Sequence, residues 1–418
     1  MPPTTKHATA VLVACLTGVL GLVACGASEG GEVSGGSSVQ PAASGPVTIR
    51  MMITSNGAAD TKLQQDTVKP WEARTGNTVE VIAASDIDRQ LSQGFSTGSP
   101  PDLFFTDAKV FQSYAKAGDL VPYGDQLDMK GDFYESLVST FTYDGKFYCA
   151  PKDFSTLALL INTDLWEQAG LGHVDWPQSW SDLETVARKL TSGKVKGLVV
   201  DDTHDGVGPF LKQAGGWIVN PDQTKMTADT ASNLAGLTEV QRLLASGTTS
   251  YPKGVGAASG VEALGQGKAA MAIEGNWVKG VFRNSYPTLR WQAVELPAGP
   301  AARGTLLFTQ CYGIAAQSKK QAAAIDLVKY LSTEEPALAL AKGLGVMPPI
   351  KSAAAAYKGA YPSDAAFITG ASYAQGPVTV AGMEPVLADF DSQLQTLPGG
   401  DPQAILTRLE TKGEAVLK

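Results

Sequence analysis

From Val47 onward the chain alternates short β-rich runs with stretches of helical periodicity, and this alternation restricts the fold more than any other feature. Residues 47–53, 79–83 and 102–105 read as strands, the last after the Pro100-Pro101 break. So do residues 146–150, 156–162, 197–200, 268–273 and 289–296. Residues 61–74 read as a helix. Ser181 with Glu184 three residues on has the form of a capping box; Leu183, Val186, Ala187 and Leu190 then share one face, and Gly193 supplies the stop. Residues 231–246 place Leu234, Leu237, Val240, Leu243 and Leu244 on one stripe, and residues 401–417 form an amphipathic helix burying Ile405 and Leu409. Strand–helix alternation argues for α/β architecture with largely parallel sheets covered on both faces. A length of 418 residues exceeds one ordinary domain and predicts two. With 44% apolar and 18% charged residues, the chain can build sizeable cores, which excludes wholesale disorder.

The start of the chain is different. Lys6 and His7 precede an uncharged apolar run from Ala8 to Ala24, the arrangement of a secretory signal. The run ends in Leu22-Val23-Ala24-Cys25, which resembles a bacterial lipobox with Cys25 as the lipidated first residue. A single membrane anchor is the alternative, since 17 residues is the lower limit for a span. No cationic stop-transfer flank follows, however; residues 26–45 are rich in Gly, Ser, Ala and Pro. Residues 1–24 are therefore read as a lipoprotein signal peptide and 25–45 as a flexible tether with an r.m.s. reach of roughly 25 Å. The protein is then exported and held at the outer face of the cell membrane by the lipid alone.

The chemistry of catalysis is sparse. Lys plus Arg is 33 against 41 for Asp plus Glu, a net charge of −8 with no Arg-rich run, so a nucleic-acid partner has no electrostatic support. Three His and four Cys leave little material for a multi-ligand metal site, and no metal or other cofactor is expected. Gly94-Phe95-Ser96-Thr97-Gly98 matches the nucleophile-elbow pattern, which needs a strand before it and a helix after. Here the order is reversed: residues 86–93 are helix-like, and Ser99-Pro100-Pro101 stops a following helix. A secreted esterase on Ser96 would also need His173 or His204, neither in a recognisable setting. Asp201-Asp202-Thr203-His204-Asp205-Gly206 begins like a calcium loop, but Thr203 stands where an acid or amide is required and Lys212 where a Glu is required, so a solvated acidic loop is the reading.

The order of several short motifs is similar to that of the extracellular solute-binding proteins of bacterial ABC importers, in the carbohydrate-binding branch that includes maltose-binding protein. The carriers are Gly98 to Asp107 (GSPPDLFFTD), Ala117 to Pro122 (AGDLVP), Asp144 to Pro151 (DGKFYCAP), Leu160 to Trp166 (LINTDLW) and Gly267 to Trp277 (GKAAMAIEGNW), spread over nearly all of residues 46–418. The resemblance implies the type II periplasmic-binding-protein-like fold, two α/β lobes with a ligand cleft between them. By that pattern residues 46–152 and 310–346 form lobe 1, and 153–309 with 347–418 form lobe 2. It also implies a monomer that captures a carbohydrate, an oligosaccharide above all, by hinge closure, and delivers it to ABC permease subunits. The alternatives within the binding class are a polyamine, a peptide or a phosphorylated polyol.

A sugar presents flat C–H faces and rings of hydroxyls, so its site wants aromatic rings with carboxylates and amides around them. Trp277 follows a strand and a Gly, and matches a recurrent cleft Trp of the family; Trp217 follows Gly215-Gly216 on a loop. Trp71 and Trp166 lie in helical patterns and read as core. Asn56 and Asp107 lie just beyond strand ends, where ligands of α/β sheets sit. A turn residue and a helix N-cap are their respective structural alternatives. Lys152 and Asp153 occupy the expected crossing between lobes, Tyr312 the second crossing, and Glu274 the loop of Trp277. For Cys149 and Cys311 the resemblance makes the two segments neighbours, leaving open a disulfide or two buried free thiols.

Overall fold

The computed structural model describes residues 45–418 except Asn56. The signal peptide, nearly all of the tether, the lipidation of Cys25 and the candidate Asn56 lie outside the described residues. The strands are β1 (Thr48–Thr54), β2 (Thr78–Ala84), β3 (Leu103–Asp107), β4 (Thr142–Tyr143), β5 (Lys146–Phe147) and β6 (Pro151–Asn162), followed by β7 (Lys196–Val199), β8 (Thr249–Ser250), β9 (Ala269–Gly275), β10 (Trp291–Val294), β11 (Thr305–Ile314) and β12 (Ala374–Gln375). β4 and β5 form a separate hairpin. The others make one sheet in the order β2-β1-β3-β11-β6-β9-β7-β8, with β10 on β6 and β12 on β11.

The expectation of a largely parallel sheet is corrected: the sheet is mixed. Its outer parts obey the α/β logic, with β1 parallel to β2 and β3, and β7 parallel to β8 and β9. Its middle does not. β6 and β11 are long strands that run antiparallel to each other, and β6 is antiparallel to β9 and β10 as well. The first half of β6 pairs with β11 and the second half with β9 and β10, so this one strand joins the two outer parts of the sheet. All twelve residues of β6 are buried, as befits a strand covered on both faces.

Two large apolar clusters lie on either side of these strands. One gathers Trp71, Phe104, Phe111 and Tyr123 with Cys311, Ile314 and Ile350; the other gathers Trp166, Leu183, Leu198, Phe210 and Leu237 with Phe390 and Leu406. A third, smaller cluster around Phe154, Leu307, Met347 and Phe367 packs along the crossing strands.

Two local readings change. The helix Trp180–Leu190 is capped by Ser179, whose hydroxyl accepts the Asp182 N–H while the Asp182 carboxylate accepts the Ser179 N–H at 3.0 Å. The sequence contains two overlapping box patterns, and this one prevails because Glu184 is drawn instead to Arg188 and Arg242, at 2.9 and 2.7 Å. Ser96 is the last residue of the helix Ile87–Ser96, its hydroxyl donating to the Ser92 carbonyl at 2.8 Å, so the esterase-like pattern is a helix-ending turn.

The interlobe cleft as candidate functional site

Three strands of the sheet, β3, β11 and β6, bring a row of polar side chains together. Gln310 pairs with Asp107 on one side and with Asp153 on the other. Residues directly opposite one another in a sheet project from the same face, so the three share a floor. Phe308 and Ser155 form the next row on that face. These residues, with Phe105, Lys152 and Trp277, line a cavity of about 280 Å³. Four of the residues expected from the sequence thus meet there: Asp107, Lys152, Asp153 and Trp277.

Each is placed by a local device. Asp107 ends β3 and also caps the next helix, its carboxylate accepting the Lys109 N–H at 3.1 Å, so the two sequence readings of this residue coexist. Burial raises its pKa above the usual carboxylate value, with the Lys109 charge opposing. Lys152 and Asp153 are buried neighbours whose ammonium and carboxylate are paired, and the ammonium lies 4.6 Å from the centre of the Phe105 ring. Trp277 is half-buried and meets Phe308 edge to face, centroids 5.1 Å apart and planes at 84°. Gly275, which ends β9, makes room for it: a Cβ there would fall inside the indole.

The other candidates are placed differently. Trp217, 9% exposed, borders a smaller cavity of about 70 Å³ whose wall includes Asp107, Lys109, His204 and Phe308, and its body packs into the second apolar cluster. Glu274 lines neither cavity. It is buried behind the cleft wall, where its carboxylate accepts the Val261 N–H at 2.9 Å while Asp201 accepts the adjacent Gly260 N–H at 3.0 Å. Burial first, then the Asp201 charge, holds Glu274 well above the ordinary carboxyl pKa. Tyr312 is also covered, packed edge-on against Phe105 with centroids 5.8 Å apart. Cys149 and Cys311 are joined by a disulfide with a Cα–Cα distance of 5.6 Å.

Sequence reasoning missed Phe105, Phe308 and Gln310. A signal did exist for Gln310, a lone amide in the largely apolar run Leu306 to Ile314. A larger cavity of about 550 Å³ lies on the reverse side of the crossing strands, where Phe154 and Leu307 alternate with Asp153 and Phe308. Its walls, including Tyr134, Met347 and Ile368, are mainly apolar and offer few partners to a polyhydroxylated molecule.

The diacetylchitobiose binding protein DasA of Streptomyces coelicolor is 26% identical over 307 residues, covering 70% of this chain and 71% of that protein. The lactose-binding protein of Rhizobium radiobacter is 24% identical over 274 residues, covering 62% of this chain and 64% of that one. Among solved structures, the ABC substrate-binding protein Lmo0181 from Listeria monocytogenes, in complex with cycloalternan, superposes with a TM-score of 0.80 at 23% identity, over 89% of this chain and 99% of that one. The model of the family described as bacterial extracellular solute-binding protein matches residues 66–369, and the chain belongs to that family.

Proposed function

We propose that this protein is the substrate-binding component of an ABC importer for a carbohydrate, most simply an oligosaccharide, and that it binds without transforming its cargo. The observation that carries the reading is the cleft itself: the Trp277 and Phe308 rings stand beside the in-register row Asp107, Gln310 and Asp153. The rings suit the C–H faces of a sugar and the row suits its hydroxyls. Relatives named for diacetylchitobiose and lactose support the same class. Residues 46–152 with 310–346 are assigned to one lobe and 153–309 with 347–418 to the other. A solute touching both lobes favours their closure because only the closed state makes both sets of contacts. The closed form then docks on membrane permease subunits, as a monomer tethered through lipidated Cys25. Trp217 lies at the edge of the site in this reading, and Asn56 remains a candidate from its place in the sequence after the first strand.

A second reading has a specific observation behind it. Three carboxylates, Asp60, Asp107 and Asp153, line the cleft against the single ammonium of Lys152, which favours a cationic solute over a phosphorylated one. A thermal-shift screen of the mature protein against mono- and oligosaccharides, amines and peptides separates the two. A true ligand at 100 times its dissociation constant adds roughly 2.7 kcal/mol of stability. Trp277→Ala is expected to lose most of that gain, and an unchanged response would remove Trp277 from the site. Stabilisation by amines alone would replace the carbohydrate reading.

A further inference from the structure

The floor of the cleft owes its shape to an irregularity. Gln310 of β11 pairs with Asp153 of β6, but the next residue, Cys311, pairs with Pro151, so Lys152 has no opposite number. In an unbroken strand Pro151, Asp153 and Ser155 would share one face, and Lys152 would project with Phe154 away from the cleft. The extra residue reverses this parity. Pro151 falls on the Cys311 side, and Lys152 and Asp153 both line the cleft, where the ammonium of one meets the carboxylate of the other. A bulge re-aims side chains in this way, but it gives up ladder pairing and can slide along a strand when nothing pins the register.

Two ties pin it close beside the bulge. The disulfide joins Cys311 to Cys149, both buried, at 0% and 1% exposure. The Tyr123 hydroxyl accepts the Ala150 N–H at 2.9 Å and donates to the Tyr312 carbonyl at 2.6 Å, bridging the same two segments. The Tyr312 N–H also donates to the Ala150 carbonyl at 3.0 Å. By strand alternation Cys311 points away from the face that carries Gln310, so the disulfide lies under the floor and touches no solute.

We propose that the Cys149–Cys311 disulfide, with the Tyr123 hydroxyl, is a positioning element of the ligand cleft, a role that rests on the cleft being the solute site proposed above. It holds the bulge at Lys152 in register and so sets where Lys152, Asp153 and Gln310 meet the cargo. A cross-link between residues 162 apart also stabilises the fold by restricting the unfolded chain, so a lowered melting temperature does not separate the two roles. Affinity and local exchange do.

Mature protein carrying Cys149→Ala and Cys311→Ala is compared with wild type at a temperature where both are folded. Native-state hydrogen exchange is followed over residues 150–154 and 308–312, and binding by titration with N,N′-diacetylchitobiose, lactose and maltotriose. Exchange in those two segments is expected to quicken about tenfold or more, with the far side of the second lobe unchanged. The dissociation constant of whichever sugar wild type binds rises about tenfold. Asp153→Ala then weakens binding less in the disulfide-free background than in wild type, because its placement is already lost. If the cysteine variant does not fold, Tyr123→Phe deletes the two bridging hydrogen bonds and carries the same comparison. Unchanged exchange and affinity, or mutational costs that simply add, overturn the proposal and leave the bond a staple. A wild type that binds none of the three sugars counts against the carbohydrate reading, and exchange alone then decides the positioning role.

Discussion

Glu274 holds an ionisable group where water cannot reach it, beside the second carboxyl of Asp201, and the sign of the consequence follows from linkage. The folded state binds this proton more tightly than the unfolded chain does. Stability is therefore lost as pH rises from the ordinary Glu value of 4.5 through the raised folded value. Glu274→Gln keeps an oxygen for the Val261 N–H and removes the charge. The variant is expected to melt above wild type at pH 7, with the difference closing below about pH 4.5; a parallel pair of melting curves across pH would refute this. At this scale the sequence was readable where chemistry and chain position coincide. Asp107 follows a strand, Lys152 and Asp153 sit at a crossing, and Trp277 follows a Gly, and all four line the cleft. Gln310 was hidden because its value lies in being opposite Asp107 and Asp153, and register between strands so distant in the chain is not written in any local pattern. Glu274 was misplaced for a related reason. It was read as part of the Trp277 loop but lies within β9, paired with Ala158, and the direction of its side chain is set by Val261, which belongs to another segment.

Among the elements, β9 shows how a strand end prepares the site. It finishes in Gly275, and the indole of Trp277 folds back over that position to meet Phe308. Gly275→Ala is expected to push the ring off the cleft wall and weaken ligand binding about as much as Trp277→Ala, while the protein still folds. Titration of both variants with the same ligand tests this, and wild-type affinity in the alanine variant at position 275 would refute it. Strong periodicity made the helices legible: Ala231–Ala245 and Pro402–Leu417 lie within one residue of their expected bounds. The run 146–150 was not, since only Lys146–Phe147 pairs, and Tyr148 to Ala150 leave the hairpin to enter the crossing. The missing expectation for β11 has the same origin. Gln310 and Gly313 interrupt its run of β-favouring residues, and its pairing with β3 and β6 makes it a strand.

On the scale of the whole molecule, segments built on the two large apolar clusters touch beyond the cavity. Helix Ala108–Ala117, whose Phe111 belongs to the first cluster, reaches polar residues that neighbour Val378 and Met383 of the second: Ser113 donates to the Glu384 carboxylate at 2.6 Å, and Gln112 donates to the Thr379 hydroxyl at 2.9 Å. Neither pair lines the 280 Å³ cavity, so in a hinge mechanism they contribute to closure without contacting cargo. On the premise that closure is what brings these two side chains together, Ser113→Ala is expected to raise the dissociation constant about fivefold, on the order of 1 kcal/mol. Unaltered affinity would show that the contact is indifferent to closing.

The way the polypeptide weaves between these lobes has a further consequence. The cluster containing Trp71 and Phe104 also needs Cys311, Ile314 and Ile350, and the cluster containing Leu183 and Leu198 also needs Phe390 and Leu406. Neither half is a contiguous stretch that evolution could have lifted out and fused elsewhere, nor one that can complete its core before the C-terminal part of the chain has been made. Both jaws must therefore ripen late and in concert, once nearly the whole thread is available.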